Sequence, residues 1–521
     1  MKSAKLSLHP DFVVGSCEDT MFGDFEQTTP NGSRQFDPDS RFADDQGFRS
    51  DMIAQLKEFG LGIVRFPGGS NMCLYRWKDG IGPKEERIAR TYYTGHMTDH
   101  MPVGIDEMFD YCSKIGCKVM LDVRAGFASG ALDDIYDELD YIFSTGDGYY
   151  PSLRRKNGHD DPYHVDYICI GNEEDGNWEF CQHSPESYAH FAREAAKLIR
   201  YFSPDTKIIV CGTSNPAVAT YPEWDRILLD AVYEYVDFLS IHYIRVCNPN
   251  MMAGVKEPPV GVEDLAYLNR EFTDFIETSQ SVISYIKSKH KAGNKVGLSI
   301  EEWSFPGIPD HVPDGLGWTE ITKFTDDDYR ALGLEPGKQK PGMFLHVCTL
   351  IEALLYGQAY IVMLNHADSV KISTGGFGMS LRAGTDTILK GLDYYVAESL
   401  SKNARGTVLR CALQSPDLET LRYGTQPAVS AAAVLSGNKL TVFALNMHYS
   451  EDCTLDIDLS AFKLCKVTGH TVIYDDQPLA GNTFVQPGRI LPKDIPVDAA
   501  ASSFILKKHS WNVITFEVQV N

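Results

Sequence analysis

The chain has 521 residues, of which 43% are hydrophobic and 23% charged, so it can bury one large domain and a smaller one, and it lacks the composition of a disordered protein. Its formal net charge of −23 would repel phosphate backbones and anionic lipid, which argues against nucleic-acid and membrane partners. A neutral substrate such as a sugar is unaffected by that field.

The N-terminal residues contain no apolar run of the length that a secretory signal requires, and no segment approaches the roughly 20 apolar residues of a membrane span. The twelve cysteines are scattered without a CxxC pair, and two of them, Cys169 and Cys211, lie inside apolar runs. This pattern favours reduced, buried thiols in a cytoplasmic protein over disulfides or a zinc site.

Eight short β-rich runs precede residue 404, and helix-length amphipathic stretches separate them. The predicted strands are Phe12–Cys17, Gly62–Phe66, Lys118–Val123, Asp166–Ile170, Lys207–Cys211, Val236–Ile241, Val296–Ile300 and Val370–Ser373. The predicted helices include Gly47–Phe59, Gly104–Ile115, Ser184–Tyr201 and Phe272–His290. A doubly wound sheet also alternates in this way, but eight units over about 390 residues fit a closed (β/α)₈ barrel of the TIM type better.

The pattern changes after about residue 404, where short alternating strands such as Lys439–Asn446 and Val513–Val518 are separated by turn residues. It predicts a β-sandwich, jelly-roll-like, over residues 404–521. The catalytic barrel is predicted over residues 13–403. Because residues 1–12 lie outside the barrel count, we expect an N-terminal strand to join the sandwich.

Catalytic residues of such barrels lie just after the carboxyl ends of the strands, and two acids lie there. Glu173 follows the apolar run Tyr167–Ile170, and Glu302 follows Val296–Ile300. Glycoside cleavage needs one acid to protonate the leaving oxygen and a carboxylate, roughly 5 to 5.5 Å away in retaining enzymes, to attack the anomeric carbon. The pair predicts a retaining glycosidase with Glu173 as general acid/base and Glu302 as nucleophile.

Either acid taken alone could be a solvated loop carboxylate, which is the ordinary state of glutamate in so acidic a chain. Two acids at matched strand ends are harder to explain in that way. The neighbouring Glu174, Asp175 and Glu179 are expected to be structural or solvated, and Glu301 is expected to support its neighbour.

Several segments of the chain resemble the corresponding segments of a known family. They are Asp44–Arg49, Val64–Gly69, Tyr75–Pro83, Gly171–Gly176, Asp237–Tyr243, Glu301–Trp303 and, in the predicted sandwich, Asn482–Phe484. They resemble glycoside hydrolase family 51, the α-L-arabinofuranosidase family of the large (β/α)₈ glycosidase clan. The similarity extends from about residue 12 to residue 492, which makes it a specific signal.

The resemblance implies a role for each matching residue. Glu173 and Glu302 match the acid/base and the nucleophile. The residues that would contact substrate or orient the nucleophile are Glu18, Ser70, Asn71, Asn172, His242, Tyr243 and Trp303. Two of these have alternatives: His242 could be a core histidine, and Trp303 could pack in the barrel wall instead of stacking on a sugar.

Four positions depart from the family pattern and bear on the sugar pocket. Many members carry asparagine where this chain has Ser70 followed by Asn71, and many carry tyrosine where it has Ile244. Arg124 stands where a small polar residue is expected, and Gly376 lies in a segment where members often present a glutamine.

The resemblance therefore implies an exo-acting α-L-arabinofuranosidase that releases terminal arabinofuranose from arabinan or arabinoxylan oligosaccharides. A relative with changed specificity is the first alternative, whether an endo-β-1,4-glucanase, a β-xylosidase or a galactofuranosidase. A non-catalytic carbohydrate-binding barrel is the alternative of another class. No metal and no cofactor are expected, since the chain has neither a phosphate-binding loop nor clustered Cys/His ligands. The resemblance also implies a homo-oligomer, a trimer or hexamer.

Overall fold

The structure is a computed structural model. It describes residues 2–26, 35–91, 98–126, 131–180, 182–244, 266, 268–304, 348–375, 381–383, 387–420, 423–484 and 486–520.

The strands and helices of the described ranges are as follows. The strands are β1 (Lys2–Ser7), β2 (Val13–Cys17), β3 (Gly23–Phe25), β4 (Ile63–Phe66), β5 (Arg90–Thr91), β6 (Thr98–Asp99), β7 (Lys118–Val123), β8 (Tyr167–Ile170), β9 (Lys207–Cys211), β10 (Phe238–Ile244), β11 (Gly297–Ser304), β12 (Val370–Ser373), β13 (Leu381–Ala383), β14 (Ile388–Lys390), β15 (Gly406–Leu409), β16 (Ala412–Gln414), β17 (Asp417–Thr420), β18 (Gly424–Pro427), β19 (Val429–Ser436), β20 (Lys439–Asn446), β21 (Cys453–Asp458), β22 (Leu464–Ile473), β23 (Lys493–Asp494), β24 (Ser503–Leu506) and β25 (Ser510–Gln519). The α-helices are α1 (Ser50–Phe59), α2 (Ile105–Ile115), α3 (Ala131–Phe143), α4 (Tyr149–Lys156), α5 (Pro185–Phe202), α6 (Glu223–Val232), α7 (Leu268–His290), α8 (Leu350–Asn365) and α9 (Leu392–Asn403).

An eight-stranded parallel sheet in the order β3-β4-β7-β8-β9-β10-β11-β12 forms the barrel. Its two end strands lie side by side, since a Cβ atom added to Gly23 would come within 2.6 Å of the Ser373 carbonyl oxygen. The predicted (β/α)₈ class is therefore confirmed, and all eight strands direct their carboxyl ends to one face of the barrel.

The predicted first barrel strand, Phe12–Cys17, was placed wrongly. Residues 13–17 form β2, which pairs antiparallel with β15 in a seven-stranded sheet, and the barrel begins instead with β3. The two valines of β2 form a clearer apolar signal than any residues of β3, so the sequence pattern favours β2 as the first barrel strand. The true first strand has three residues, Gly-Asp-Phe, which is too short and too polar to produce a period-2 pattern.

Two sheets make up the C-terminal part of the chain: one in the order β2-β15-β19-β20-β25-β22-β23, the other in the order β16-β1-β21-β24. Strand β1 pairs parallel with β21 and antiparallel with β16, so the N-terminal residues lie in this layer. A separate apolar core between the sheets includes Leu6, Val442, Phe504 and Phe516. The residue at which one domain ends and the next begins stays a prediction.

Helix α5 shows why the barrel helices form where the sequence places them. The Ser184 hydroxyl accepts a hydrogen bond from the backbone N–H of Ser187 and caps the first turn. Tyr188, Phe191 and Ile199 are buried on one face, as their spacing predicts.

Helix α8 joins the two parts of the molecule. It packs against α7 and α9 on the barrel side and against β15, β19, β20 and β25 on the sandwich side. Its apolar residues cover the whole circumference because both sides are buried. Among the helices of the described ranges, none is both long and apolar enough to cross a membrane.

Candidate active site

A β-bulge at the end of β11 places two consecutive carboxylates on the same side of the sheet. The register with β10 pairs Ile241 with Ile300 and then Tyr243 with Trp303, so Glu301 and Glu302 together lie opposite His242. In a regular strand, neighbouring side chains point to opposite faces, and an extra residue cancels that alternation.

Arg65 on β4 is the cation around which the site is built, and its side chain is fully buried. Its Nη1 donates to Glu302 Oε1 at 2.7 Å, and its Nε lies 2.8 Å from Asp122 Oδ2 and 3.4 Å from Glu301 Oε2. The bulge explains why both glutamates reach it. A planar guanidinium with five donors suits such a set of carboxylates.

Arg65 also fixes the Asn172 amide, because its Nη2 donates to Asn172 Oδ1 at 2.8 Å. The amide nitrogen of Asn172 is buried and has no hydrogen-bond partner in the described part of the chain. A buried donor without a partner is uncommon and costs about 1–3 kcal/mol. The arrangement leaves an oriented donor beside the carboxylates.

Glu173 follows β8 on a turn whose backbone is left-handed. Its own φ is +49° and that of Gly171 is +87°. Such a conformation is uncommon for a residue with a side chain and costs about 1–3 kcal/mol, and it is found preferentially at functional sites. The carboxylate is buried; its Oε1 is 2.9 Å from His242 Nδ1, and its Oε2 accepts from Trp178 Nε1 at 2.5 Å.

The two proposed catalytic carboxylates lie close together with a histidine between them. One donor atom each from Glu173, His242 and Glu302 lies within 4.8 Å of the other two. Burial alone lowers the pKa of a histidine, but the charges of Glu302, Glu173 and Glu301 outweigh it, so the pKa of His242 is raised well above its ordinary value. The surrounding carboxylates therefore favour the protonated form of His242, which together with Arg65 compensates their charge.

The same three side chains form the one cluster in the described ranges whose His and carboxylate donors are close enough to hold a metal ion. In the free protein these donors already bind one another and Arg65. The expectation that no metal is used stays a prediction.

A second layer of buried acids holds the turn that carries Glu173. The Glu174 carboxylate accepts from the Asn172 backbone N–H at 3.3 Å, and Asp175 accepts from that of Ser214 at 3.1 Å. Burial raises the pKa of Glu174 to about 8 and that of Asp175 to about 6. These acids are buried and structural, and solvent does not surround them.

Ser70 and Asn71 lie in a short 3-10 helix, Ser70–Leu74, directly beyond the carboxyl end of β4. They are thus at the same barrel face as Arg65. Asn71 is buried, and Ser70 is partly exposed next to the Glu179 carboxyl group.

Glu18 does not lie with Glu173 and Glu302. It is exposed, and it precedes a 3-10 helix, Asp19–Met21, that leads into the amino end of β3. The Asp19 carbonyl packs against Gly62, the residue before β4, so this segment lies at the opposite face of the barrel. The error follows from the misplaced first strand. The acid that directly follows the true strand is Glu26, whose buried backbone N–H donates to the Arg65 carbonyl at 2.9 Å.

Tyr243 and Trp303 point away from the carboxylates and pack in the barrel wall. The Tyr243 hydroxyl donates to the Glu271 carboxylate on α7, and its ring stacks on Phe272 at 4.6 Å. Trp303 Nε1 donates to the Ser373 hydroxyl at 2.8 Å. Tyr243 follows the inward-facing His242 in the regular alternation of β10, whereas Trp303 points outward because the bulge in β11 lies just before it.

The remaining departures from the family pattern are less informative. Arg124 pairs with Asp134 at 3.2 Å at the mouth of the barrel. The Ile244 carbonyl accepts from the Asn215 side chain at 3.0 Å. Gly376 lies outside the described residues.

Comparison with known proteins bears on the identity of this site. The chain matches the α-L-arabinofuranosidase 1 domain over residues 55–250 and the α-L-arabinofuranosidase C-terminal domain over residues 325–510. It is 27% identical to an intracellular exo-α-(1→5)-L-arabinofuranosidase of Acetivibrio thermocellus, with 99% of each chain covered. It is also 27% identical to an exo-α-(1→6)-L-arabinofuranosidase of Bifidobacterium longum, over 94% of this chain and 92% of that one.

The chain belongs to glycoside hydrolase family 51. The fold agrees: a family 51 α-L-arabinofuranosidase structure from Bifidobacterium longum superposes with a TM-score of 0.84 at 24% identity, covering 99% of this chain and all of that one. The resemblance found in the sequence is thereby confirmed.

Two features of this family 51 site escaped the sequence analysis. The first is the extent of the Arg65 network, because Asp122 in the middle of a strand carries no sign of its partner. The second is Glu179, which was expected to be structural or solvated, whereas it is buried near Glu173 and Glu302. A signal for Glu179 was present: it directly follows Trp178 and lies six residues after the strand-end acid Glu173.

Replacing Arg65 by methionine is expected to destabilise the protein and to abolish most activity. The substitution leaves Asp122, Glu301 and Glu302 buried without their shared cation, and breaking a buried ion pair costs about 3–5 kcal/mol. Chemical unfolding and steady-state kinetics measure the two effects.

Arg154→Met is the matched control, because Arg154 is equally buried but donates to the carbonyl oxygens of Tyr141 and Ser144, away from the site. It should lower stability while the folded fraction keeps its kcat. An Arg65→Met protein with wild-type stability and kcat would contradict the proposed role of the network.

Proposed function

We propose that this chain is a retaining, exo-acting α-L-arabinofuranosidase that removes terminal arabinofuranose from arabinan or arabinoxylan oligosaccharides by double displacement. The observation that supports it most is the short separation of the Glu173 and Glu302 carboxylate oxygens, within 4.8 Å. Retaining glycosidases hold their carboxyl groups roughly 5 to 5.5 Å apart, whereas inverting enzymes need roughly 6.5 to 9.5 Å to admit a water molecule.

In the first step a Glu302 oxygen attacks the anomeric carbon as the glycosidic C–O bond breaks, and Glu173 transfers its proton to the departing oxygen. The sugar is then held as an ester of Glu302. In the second step Glu173 takes a proton from water, whose oxygen attacks the same carbon and displaces the Glu302 carboxylate. Two displacements at one carbon restore the original configuration.

The neighbours of the pair suit this sequence. Arg65 holds one Glu302 oxygen and leaves the other for the attack. The Trp178 N–H and the His242 ring orient the two oxygens of Glu173. The unpartnered amide nitrogen of Asn172 is placed to donate to a sugar hydroxyl near the reacting carbon.

Arabinofuranose is the proposed sugar because relatives matching nearly the whole chain are named arabinofuranosidases, with (1→5) and (1→6) linkages among them. Several relatives are named intracellular, and we infer a cytoplasmic enzyme that acts on imported oligosaccharides. A homo-oligomer stays a prediction.

A panel of nitrophenyl glycosides tests the proposed specificity. We expect kcat/KM for α-L-arabinofuranoside to exceed that for β-xyloside, β-glucoside and galactofuranoside. A higher value for one of those sugars would assign the chain to the family relatives with changed specificity. No turnover of any glycoside would favour a non-catalytic carbohydrate-binding barrel.

A further inference from the structure

Glu179 is a third carboxyl group beside the catalytic pair that the mechanism above does not use. It lies on the loop after β8, six residues beyond Glu173, and the residue is 7% exposed. Both of its carboxyl oxygens are shielded from solvent, and within the described ranges neither makes a hydrogen bond of regular geometry, although the Ser70 and Cys73 side chains lie next to them. A carboxyl group buried without partners is costly, and folded proteins rarely keep one without a use for it.

Its position relates it to the catalytic machinery. The preceding residue, Trp178, binds the Glu173 carboxylate. On the other side, Ser70 and Cys73 of the 3-10 helix after β4 lie next to the Glu179 carboxyl group, and its charge interacts with those of Glu173 and, less strongly, Glu302. Glu179 therefore lies on the acid/base side of the pocket, between the loops that follow β8 and β4.

We propose that Glu179 is a specificity-determining residue whose carboxyl group hydrogen-bonds a hydroxyl of the sugar on the leaving-group side of the scissile bond. The inference rests on the proposed glycosidase function. It follows from position: the general acid donates to the leaving oxygen, so groups clustered on its side of the pocket face the departing sugar. Ser70, partly exposed at the same place, completes a polar wall for that sugar.

The group acts as a donor. Burial and the neighbouring Glu173 charge raise the pKa of Glu179 to about 9, so the acid form predominates at neutral pH. A carboxylic acid offers one O–H donor and one carbonyl acceptor, which matches a sugar hydroxyl that both accepts and donates. A neutral acid also adds no third negative charge beside Glu173 and Glu302.

The test compares two substrates that share the arabinofuranosyl group but differ in leaving group. The leaving group of α-1,5-arabinobiose is a second arabinose, whereas that of 4-nitrophenyl α-L-arabinofuranoside is 4-nitrophenol, which has no sugar hydroxyls. Glu179→Leu removes the hydrogen bond and keeps the volume. We expect kcat/KM on arabinobiose to fall about 10- to 100-fold, at least ten times more than on the aryl substrate. Glu179→Gln, which keeps a donor and an acceptor, should recover most of the loss.

The pH profile supplies an independent readout. The acid form donates below a pH of about 9 and is lost above it, so the wild-type kcat/KM on arabinobiose should fall through that range relative to the aryl substrate. Glu179→Gln should remove this relative fall. This comparison remains decisive even if Glu179→Leu does not fold.

Glu138→Leu is the matched control, since Glu138 on α3 is also a buried acid with an unpartnered oxygen but lies outside the catalytic cluster. It should leave the ratio of the two kcat/KM values unchanged. Equal losses on both substrates in Glu179→Leu, or an unchanged relative fall in Glu179→Gln, would overturn the proposal. A wild-type protein that cleaves neither arabinofuranoside would instead refute the proposed function.

Discussion

Glu302→Ala is expected to lower kcat on an aryl arabinofuranoside by a factor on the order of 10⁴ or more, because no covalent intermediate can form without the nucleophile. Azide should restore part of the rate. The vacated volume beside Arg65 admits a small anion, which attacks the anomeric carbon directly and gives the glycosyl azide of inverted configuration. Steady-state kinetics and NMR of the product measure the two effects.

Glu301 provides the matched control, because it is adjacent in sequence, more deeply buried, and bound to the same arginine. Glu301→Gln keeps the Glu302 nucleophile, so azide should not raise its rate. Azide rescue of the Glu301 variant, together with near-wild-type activity of Glu302→Ala, would move the nucleophile to Glu301.

Glu173→Ala is expected to lose about 10²- to 10⁴-fold in rate on a natural arabinoside, whose leaving group needs a proton. On a 2,4-dinitrophenyl arabinofuranoside the first step needs little proton assistance, so its rate constant should fall far less. Pre-steady-state kinetics should then show a burst, since the second step still lacks its general base. The ratio of the losses on the two substrates identifies an acid/base residue.

Glu174→Gln is the comparison for that experiment. Glu174 is the next residue and is equally buried, but its carboxylate contacts the Asn172 backbone and acts on the fold of the turn. It should change both rates by the same factor. Equal losses on both substrates for Glu173→Ala would mean that Glu173 is a binding or structural residue.

The sequence predicted the barrel and the two acids because both depend on local signals. Apolar runs followed by an acid need only one strand to be recognised, and seven of the eight barrel strands carry enough β-branched or apolar residues. The exception is the first strand, β3, which has only three residues, one of them a glycine. Because β3 was missed, the first barrel strand was placed too early in the chain, and Glu18 was assigned to the wrong face of the barrel.

The orientation of Trp303 could not be predicted in the same way, whereas that of Tyr243 follows from ordinary alternation after His242. Alternation assigns each strand residue to a face, but a single bulge reverses that assignment for every residue beyond it. No residue pattern in β11 marks the bulge; it is visible only in the pairing of β10 with β11. Likewise, the roles of Asp122 and Glu179 could not be predicted, because their neighbours lie more than fifty residues away in the chain: Arg65 for Asp122, and Ser70 and Cys73 for Glu179.

The anomeric configuration of the first product, followed by ¹H NMR from the start of hydrolysis of an α-L-arabinofuranoside, tests the central claim most directly. Double displacement by Glu302 and Glu173 predicts that α-L-arabinofuranose appears first and that the β anomer forms only later, by mutarotation. Initial appearance of the β anomer would show a single displacement by water and would contradict the account.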